Sequence, residues 1–248
     1  MRILEGKNAI ITGSRRGIGR ATVEVFAQNG ANVWACARKP DQFFETDIAA
    51  LAERYGVWIR PVYLDMIDDV EMKSAVRAIV NEKLPIDILV NNAGIVEQNS
   101  SFLMTPAERV RKVMEINFTA QMIFTQYIAR IMAKKGKGSI VFLSSIAGLD
   151  GNPAQLEYVA AKAAIVGAVK KLAIELGESN IRVNAVAPGI INTDMGNAMQ
   201  SDLMQNILGR SIMKRLGSPV EVANVISFIS SDMASYMTGQ IIRVDGGM

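Results

Sequence analysis

The sequence predicts a single α/β domain over residues 1–248, an open, doubly wound parallel sheet of seven strands with helices on both faces. Three observations predict it. Seven short apolar runs of the kind that form fully buried strands recur along the chain, segments of helical period separate them, and the first run leads into a glycine-rich turn that opens a helix. Parallel strands joined by right-handed crossovers form a closed barrel or an open sheet; the glycine turn favours the open sheet, with ligands at the strands' carboxyl ends. With 248 residues, 50% of them hydrophobic, the chain can bury a large core. No internal repeat, low-complexity tract or flexible linker separates a second domain.

In chain order, Met1 to Lys7 run directly into a strand at 8–12 and lack the apolar stretch of a signal peptide. A glycine loop follows, then a helix at 19–29 closed by Gly30, where a residue that tolerates positive φ ends a helix well. Strands are expected at 32–37 and 59–64, a helix at 70–82 and a strand at 86–91. A long helical pattern over 106–133, with Met114, Phe118, Ile123, Tyr127 and Ile131 three to five apart, precedes a strand at 139–144. The last strands fall at 182–187 and 240–244. Between them, 190–218 is the least regular stretch; its Gly, Asn, Ser and Met after Pro188-Gly189 predict a mobile helical lid over a site.

Composition removes several classes of function. The net charge of +3, from 27 basic and 24 acidic residues spread along the chain, provides no basic block for nucleic acid. No uninterrupted apolar stretch approaches about 18 residues, so no membrane span is expected, and the reading is a soluble, cytoplasmic protein. The single cysteine, Cys36, lies in an apolar run and reads as a buried thiol; an intrachain disulfide is impossible. With no histidine, the Ser-His-Asp triad and most zinc sites are excluded, and no metal is expected. Proton chemistry must use Tyr, Lys, Asp, Glu or Cys.

The loop Thr12-Gly13-Ser14-Arg15-Arg16-Gly17-Ile18-Gly19 lies between a strand and a helix, where glycines allow a tight turn and let the backbone approach a pyrophosphate at the helix N-terminus. This is the first turn of a Rossmann-type dinucleotide site. Sites that prefer NAD carry Asp or Glu near the end of the second strand to accept from the ribose 2′-hydroxyl. Here that position reads Ala37-Arg38. A guanidinium binds a 2′-phosphate bidentately, and Arg15 can add a second cation, so the expected cofactor is NADP(H).

Tyr158-Val-Ala-Ala-Lys162 on a predicted helix, preceded by Ser144-Ser145 at the end of a strand, is the decisive constellation. Tyr158 and Lys162, four apart, share one helix face. A free phenol, with a pKa near ~10, is a sluggish acid/base at neutral pH, and a nearby ammonium is expected to favour the phenolate. At about 4 Å and an effective dielectric of about 20 that attraction is about 4 kcal/mol, an upper limit near three pKa units before burial opposes it.

These motifs, with Asn91-Asn92-Ala93-Gly94, Asn117 and Pro188-Gly189, resemble in order and over the whole chain those of the short-chain dehydrogenase/reductases. The family's serine stands thirteen residues before its tyrosine, which selects Ser145 over Ser144. The resemblance implies that Tyr158 exchanges a proton with the substrate oxygen, that Ser145 polarises that oxygen, and that Lys162 also holds the nicotinamide ribose. It implies that Asn117 interrupts its helix and holds a water in the proton relay. Gly13, Ser14, Arg15, Gly17, Ile18 and Gly19 would cradle the pyrophosphate end. Asp65 and Met66 would lie at the adenine, Asn92, Ala93 and Gly94 beside the adenosine ribose, and Pro188, Gly189, Ile191 and Thr193 at the carboxamide. The residues alone also allow Asp65 as a loop cap, Asn91 as a strand-bridging amide and Thr193 as a helix N-cap.

Gly151 to Gln155, Val186 to Met195 and Val244 to Met248 are similar to the corresponding segments of the bacterial 3-oxoacyl-acyl-carrier-protein reductases. That similarity implies NADPH-dependent reduction of a β-keto thioester, a place in fatty acid biosynthesis, a homotetramer, and acyl carrier protein as a partner. The docking arginines of that subgroup fall on Gly136 and Ser179 here, with Lys134, Lys135 and Lys137 as substitutes or as a solvated helix end. Two further readings remain: dehydrogenation of another secondary alcohol (sugar, polyol, steroid or a small ketone's alcohol), and a catalytically silent dinucleotide sensor, which would not need Ser145, Tyr158, Lys162 and Asn117 together.

Overall fold

The computed structural model describes residues 2–97, 101–151, 155–193, 208–209 and 211–248. The seven strands are β1 (Asn8–Ile11), β2 (Asn32–Ala37), β3 (Ile59–Tyr63), β4 (Ile88–Asn91), β5 (Gly138–Leu143), β6 (Ile181–Pro188) and β7 (Ile241–Val244). All pair in parallel, in the order β3-β2-β1-β4-β5-β6-β7. Each observed strand end lies within two residues of its expected position, because strands covered on both faces must be almost wholly apolar. The order reverses direction between β1 and β4, which opens a crevice at their carboxyl ends.

Alternate residues of each strand feed two cores. On one face, Ala9, Ile11, Val33 and Ala35 pack with Phe26 of α1 (Gly17–Gln28), Phe44 and Ile48 of α2 (Gln42–Tyr55), and Val222 and Ile226 of α8 (Pro219–Ser230). On the other, Ile10, Trp34 and Ile140 pack with Met72 of α3 (Asp69–Asn81), Phe124 and Ile128 of α5 (Ala120–Lys135), and Ile165 and Val169 of α7 (Leu156–Gly177). Cys36 is buried among them, and burial pushes its thiol up to about 12, so it stays a neutral apolar filler. No helix among the described residues is long and apolar enough to cross a membrane.

The long helical pattern is not one α-helix. α4 (Ala107–Met114) passes into a π turn at Glu115–Thr119 before α5 begins. A helix broken in this way absorbs one extra residue locally. The inserted turn carries Asn117, fully buried.

Of the expected lid, residues 194–207 and 210 lie outside the described part. Its base is anchored: Ile191 pairs with Gly217 in a parallel bridge, and Asn192 N–H donates to Gly217 O at 2.8 Å.

Candidate active site

Six of the expected site segments follow the carboxyl ends of strands: Gly13 after β1, Arg38 after β2, Asp65 after β3, Asn92 after β4, Ser145 after β5 and Gly189 after β6, while Asn117, Tyr158 and Lys162 come from helical segments. The topology alone therefore gathers those six on one edge of the sheet.

Gly13 and Gly17 have φ of +68° and +56°, where a side chain is strained. Gly19 has an ordinary φ but no room: a Cβ there would sit 2.1 Å from Gly13 O and 2.4 Å from Asn92 Nδ2. Helix α1 can thus start immediately beneath the loop, and Ile18 opens it half-buried. Ser14 turns inward, its hydroxyl donating to Ile11 O at 2.8 Å and its N–H to Cys36 O at 2.9 Å, so its role is to hold the loop. Arg15 forms an ion pair with Asp41, whose other oxygen caps α2 by accepting from Phe44 N–H. Arg38 is exposed, and among the described residues no carboxylate pairs with it. Arg38 and the already paired Arg15 thus follow the ends of adjacent strands, β2 and β1.

After β3, Asp65 is half-buried and its carboxylate accepts from Ile67 N–H at 3.3 Å, which fits its loop-cap reading, while Met66 packs into the core. After β4, the Asn92 amide donates to Thr12 O and Gly13 O, so Asn92 clasps the glycine loop. Thr12 Oγ1 accepts from both Asn92 N–H and Ala93 N–H at 3.0 Å. Asn91 donates to Thr125 Oγ1 of α5 at 2.8 Å, bridging strand to helix and not strand to strand. Asn117 is joined to the backbone of Ile95 by two bonds of 2.8 Å, its Oδ1 accepting from the N–H and its Nδ2 donating to the carbonyl. Satisfying that loop backbone with one side chain explains why the helix opens a π turn there. Gly94 completes the wall; a Cβ on it would lie 3.0 Å from Asn117 Oδ1 and 3.7 Å from Lys162 Nζ.

Ser145, Tyr158 and Lys162 come together. Ser145 lies close enough to Tyr158 for its hydroxyl to oppose the rise of the phenol's pKa. Lys162 is 4% exposed; its ammonium donates to Leu143 O at 2.6 Å and lies 5.7 Å from the centre of the Tyr158 ring. Ser144, passed over as a catalyst, donates to Lys162 O at 2.8 Å and so ties α7 to the end of β5. Gly148 of α6 (Ala147–Asp150) brings that turn against α7; a Cβ would lie 2.6 Å from the Lys162 carbonyl carbon.

The electrostatics differ from the expectation that Lys162 draws the phenol pKa down. Burial pushes Tyr158 up, and the Ser145 hydroxyl opposes this only in part. Burial also pulls Lys162 down to about 8. Both groups lose water to the same wall, and desolvation outweighs their attraction when the ammonium is turned toward a backbone carbonyl. At neutral pH the phenol is therefore protonated, and the lysine is mostly charged.

After β6, Gly189 N–H donates to Val244 O at 2.9 Å, and a Cβ at Gly189 would strike Asp245 at 2.8 Å; Pro188 ends the strand and accepts from Ile146 N–H. Ile191 is buried, while the methyl of Thr193 would lie 3.3 Å from a Cβ at Gly17, placing Thr193 over the glycine loop. Residues 195 and 196, whose N–H groups a Thr193 N-cap would satisfy, are outside the described residues. The lysines considered for docking stand at the start of β5, the opposite end from Ser145: Lys135 pairs with Asp87 and Lys137 with Asp232 at 3.3 Å. Gly136 has φ +72° as the C-cap of α5, a position that suits glycine better than arginine. Among the described residues no cluster of three or more acidic or cysteine side chains is placed to hold a metal.

The sequence reading named Thr12, Ser144 and Asn91 without giving them these contacts, and it omitted Gln121 and Asp41. Gln121 carries the one available signal, its spacing of four from Asn117, which puts both on one helix face.

A family model described as enoyl-(acyl carrier protein) reductase matches residues 13–248. The chain is 39% identical to the 3-oxoacyl-acyl-carrier-protein reductase FabG of Aquifex aeolicus (strain VF5), over 99% of this chain and 98% of that protein. It is 40% identical to a 3alpha-hydroxysteroid dehydrogenase of Mediterraneibacter gnavus, over 98% and 97%. A crystal structure of a 3-oxoacyl-acyl-carrier-protein reductase with bound NAD from Brucella melitensis superposes with a TM-score of 0.86 at 33% identity, covering 100% of this chain and 92% of that one. The chain belongs to the short-chain dehydrogenase/reductase family, oxidoreductases that act on CH–OH groups with a nicotinamide dinucleotide.

Proposed function

We propose that this chain is an NADPH-dependent ketoreductase whose substrate is a 3-oxoacyl thioester. The observation that carries the chemistry is the half-buried Tyr158 beside Ser145, with the Lys162 ammonium 5.7 Å from its ring centre, at the carboxyl edge of the sheet. A group that delivers a proton must begin with it, and burial keeps the phenol protonated well above neutral pH. Ser145 donates to the substrate carbonyl and fixes it beside the phenol; Tyr158 passes its proton to that oxygen. Lys162, held by Leu143 O, has two N–H groups left for ribose hydroxyls and stands behind the phenol to stabilise the phenolate as it forms. When bound, the coenzyme supplies the hydride that reaches the carbonyl carbon.

The residues fit a dinucleotide: Gly13, Gly17 and Gly19 leave the loop backbone open, and Asn92, Ala93 and Gly94 shape the next wall. NADP(H) is favoured over NAD(H) because the end of β2 offers the Arg38 guanidinium, which no carboxylate among the described residues pairs with, where a carboxylate would repel a 2′-phosphate. The Brucella structure holds NAD, but the deciding position in this chain is an arginine.

The thioester rests on the FabG relative, and the steroid dehydrogenase at equal similarity supports a second reading, a secondary alcohol of another class. A homotetramer is supported by apolar side chains left open on the long helix and the C-terminal segment, Ile174, Met233 and Tyr236 among them. If acyl carrier protein docks through Lys134, Lys135 and Lys137, a neighbouring subunit must bring them to the site, since within one chain they stand at the far end of β5. The test is NADPH oxidation, followed by absorbance, with acetoacetyl thioesters of carrier protein and coenzyme A beside sugars, steroids and simple ketones. Turnover confined to the thioesters supports the reading; activity only on the others retains the chemistry and discards the substrate.

A further inference from the structure

Gln121 lies one turn beyond Asn117 at the start of α5 and is fully buried. Its Nε2 donates to Ala93 O at 2.6 Å, while its Oε1 has no donor among the described residues. A bare buried acceptor costs stability, and methionine or leucine would fill the space without that cost. Turning the amide over would bring two carbonyl oxygens together at Ala93, so the orientation is fixed by the bond it makes. Packing does not account for an amide here, but its donor does.

That donor completes a clamp. Ala93 N–H is taken by Thr12 Oγ1 at 3.0 Å and Ala93 O by Gln121, so both ends of the residue are held. The next residue, Gly94, faces Asn117 and Lys162: a Cβ on it would lie 3.0 Å from Asn117 Oδ1 and 3.7 Å from Lys162 Nζ. The tilt of the Ala93–Gly94 peptide sets how near the Gly94 backbone stands to the ammonium. From this geometry we infer that Gln121 is a positioning residue: its N–H fixes the Ala93–Gly94 peptide against Lys162 and Asn117 and so governs how tightly the coenzyme's ribose region is held. The inference rests on the proposed coenzyme role of Ala93, Gly94 and Lys162.

The experiment compares the full-length parent with Gln121→Met and Gln121→Glu. Melting curves establish that each is folded, fluorescence titration gives the Kd for NADPH, and steady-state kinetics gives KM and kcat from pH 6 to 9. Methionine keeps the bulk and removes the donor, so Kd and KM for NADPH rise about tenfold with kcat little changed. A buried carboxyl at this position donates to Ala93 O when protonated and repels it when ionised. The Kd of Gln121→Glu, divided by that of the parent at each pH, therefore grows as pH rises. A merely structural role would not produce that dependence. An NADPH Kd for Gln121→Met within twofold of the parent, or a flat ratio for Gln121→Glu, overturns the inference alone. A parent that binds neither NADPH nor NADH overturns it together with the coenzyme reading.

Discussion

Replacing Lys162 with methionine is predicted to abolish turnover yet stabilise the fold at neutral pH. Burial holds the ammonium at about 8 against the usual 10.5, so the folded protein releases this proton before the unfolded chain does. Below pH 8 both states are charged, and the whole cost of burying the charge is present; at about 1.4 kcal/mol per pH unit it is about 3 kcal/mol. Between pH 8 and 10.5 the folded state is neutral while the unfolded chain is still protonated, so the stability of the parent rises through this window. Methionine has no charge to bury, but it loses the hydrogen bond to Leu143 O, a loss of about 1–2 kcal/mol. The variant should therefore be more stable by about 1 kcal/mol at pH 7, or about 2–4 °C in Tm for a domain of this size. It should be the less stable protein by pH 10.5. Denaturant and thermal unfolding of coenzyme-free parent and variant, at one protein concentration across pH 7 to 10.5, measures this difference. A difference that stays constant from pH 8 to 10.5 would refute the reasoning, since the titration of Lys162 alone creates the slope.

Arg38→Asp should lower kcat/KM for NADPH by about 10–100-fold, the worth of a charge-assisted bond, and leave NADH much less affected; coenzyme kinetics reads the ratio, and an unchanged preference removes Arg38 from the account. Ser145→Ala should lower kcat about 10²–10³-fold by removing one donor to the reacting oxygen. It should also move the phenol's titration still higher, because the lost hydroxyl is the one that opposed burial; the pH profile of kcat checks this. Gly19→Ala forces a methyl to 2.1 Å from Gly13 O, so coenzyme binding should be lost in titration even where the protein still folds. Ser218→Ala removes the hydroxyl half of a capping box at the start of α8 and should cost about 1 kcal/mol in denaturant unfolding without altering kcat.

The sheet was legible in the sequence because its strands are covered on both faces: a run such as Val33-Trp34-Ala35-Cys36-Ala37 has no polar side to confuse the pattern. The site segments were legible because the topology delivers each strand's carboxyl end to one edge, and the Tyr158–Lys162 spacing is local to one helix. What escaped depended on contacts between distant residues. The resemblance implied that Asn117 interrupts its helix, but not that the break is a π turn in which Asn117 satisfies Ile95, twenty-two positions earlier, a demand of which helical periodicity contains no trace. The pairing of Arg15 with Asp41 and the clamp of Gln121 on Ala93 are likewise invisible to local pattern. Burial was expected to oppose the pull of Lys162 on the phenol, but spacing reveals a nearby charge and not how much water is excluded from it, so that burial outweighs the charge was not legible.

The central claim is that a hydride from NADPH reaches a carbonyl carbon while Tyr158 supplies the proton. Its most direct test uses NADPH dideuterated at the nicotinamide C4, with acetoacetyl-coenzyme A as acceptor and mass spectrometry of the product, for the parent and Tyr158→Phe side by side. The account predicts one deuterium on the carbinol carbon with the parent, and no product from the variant although it binds NADPH as tightly. Product without deuterium, or labelled product formed equally fast by Tyr158→Phe, would contradict it.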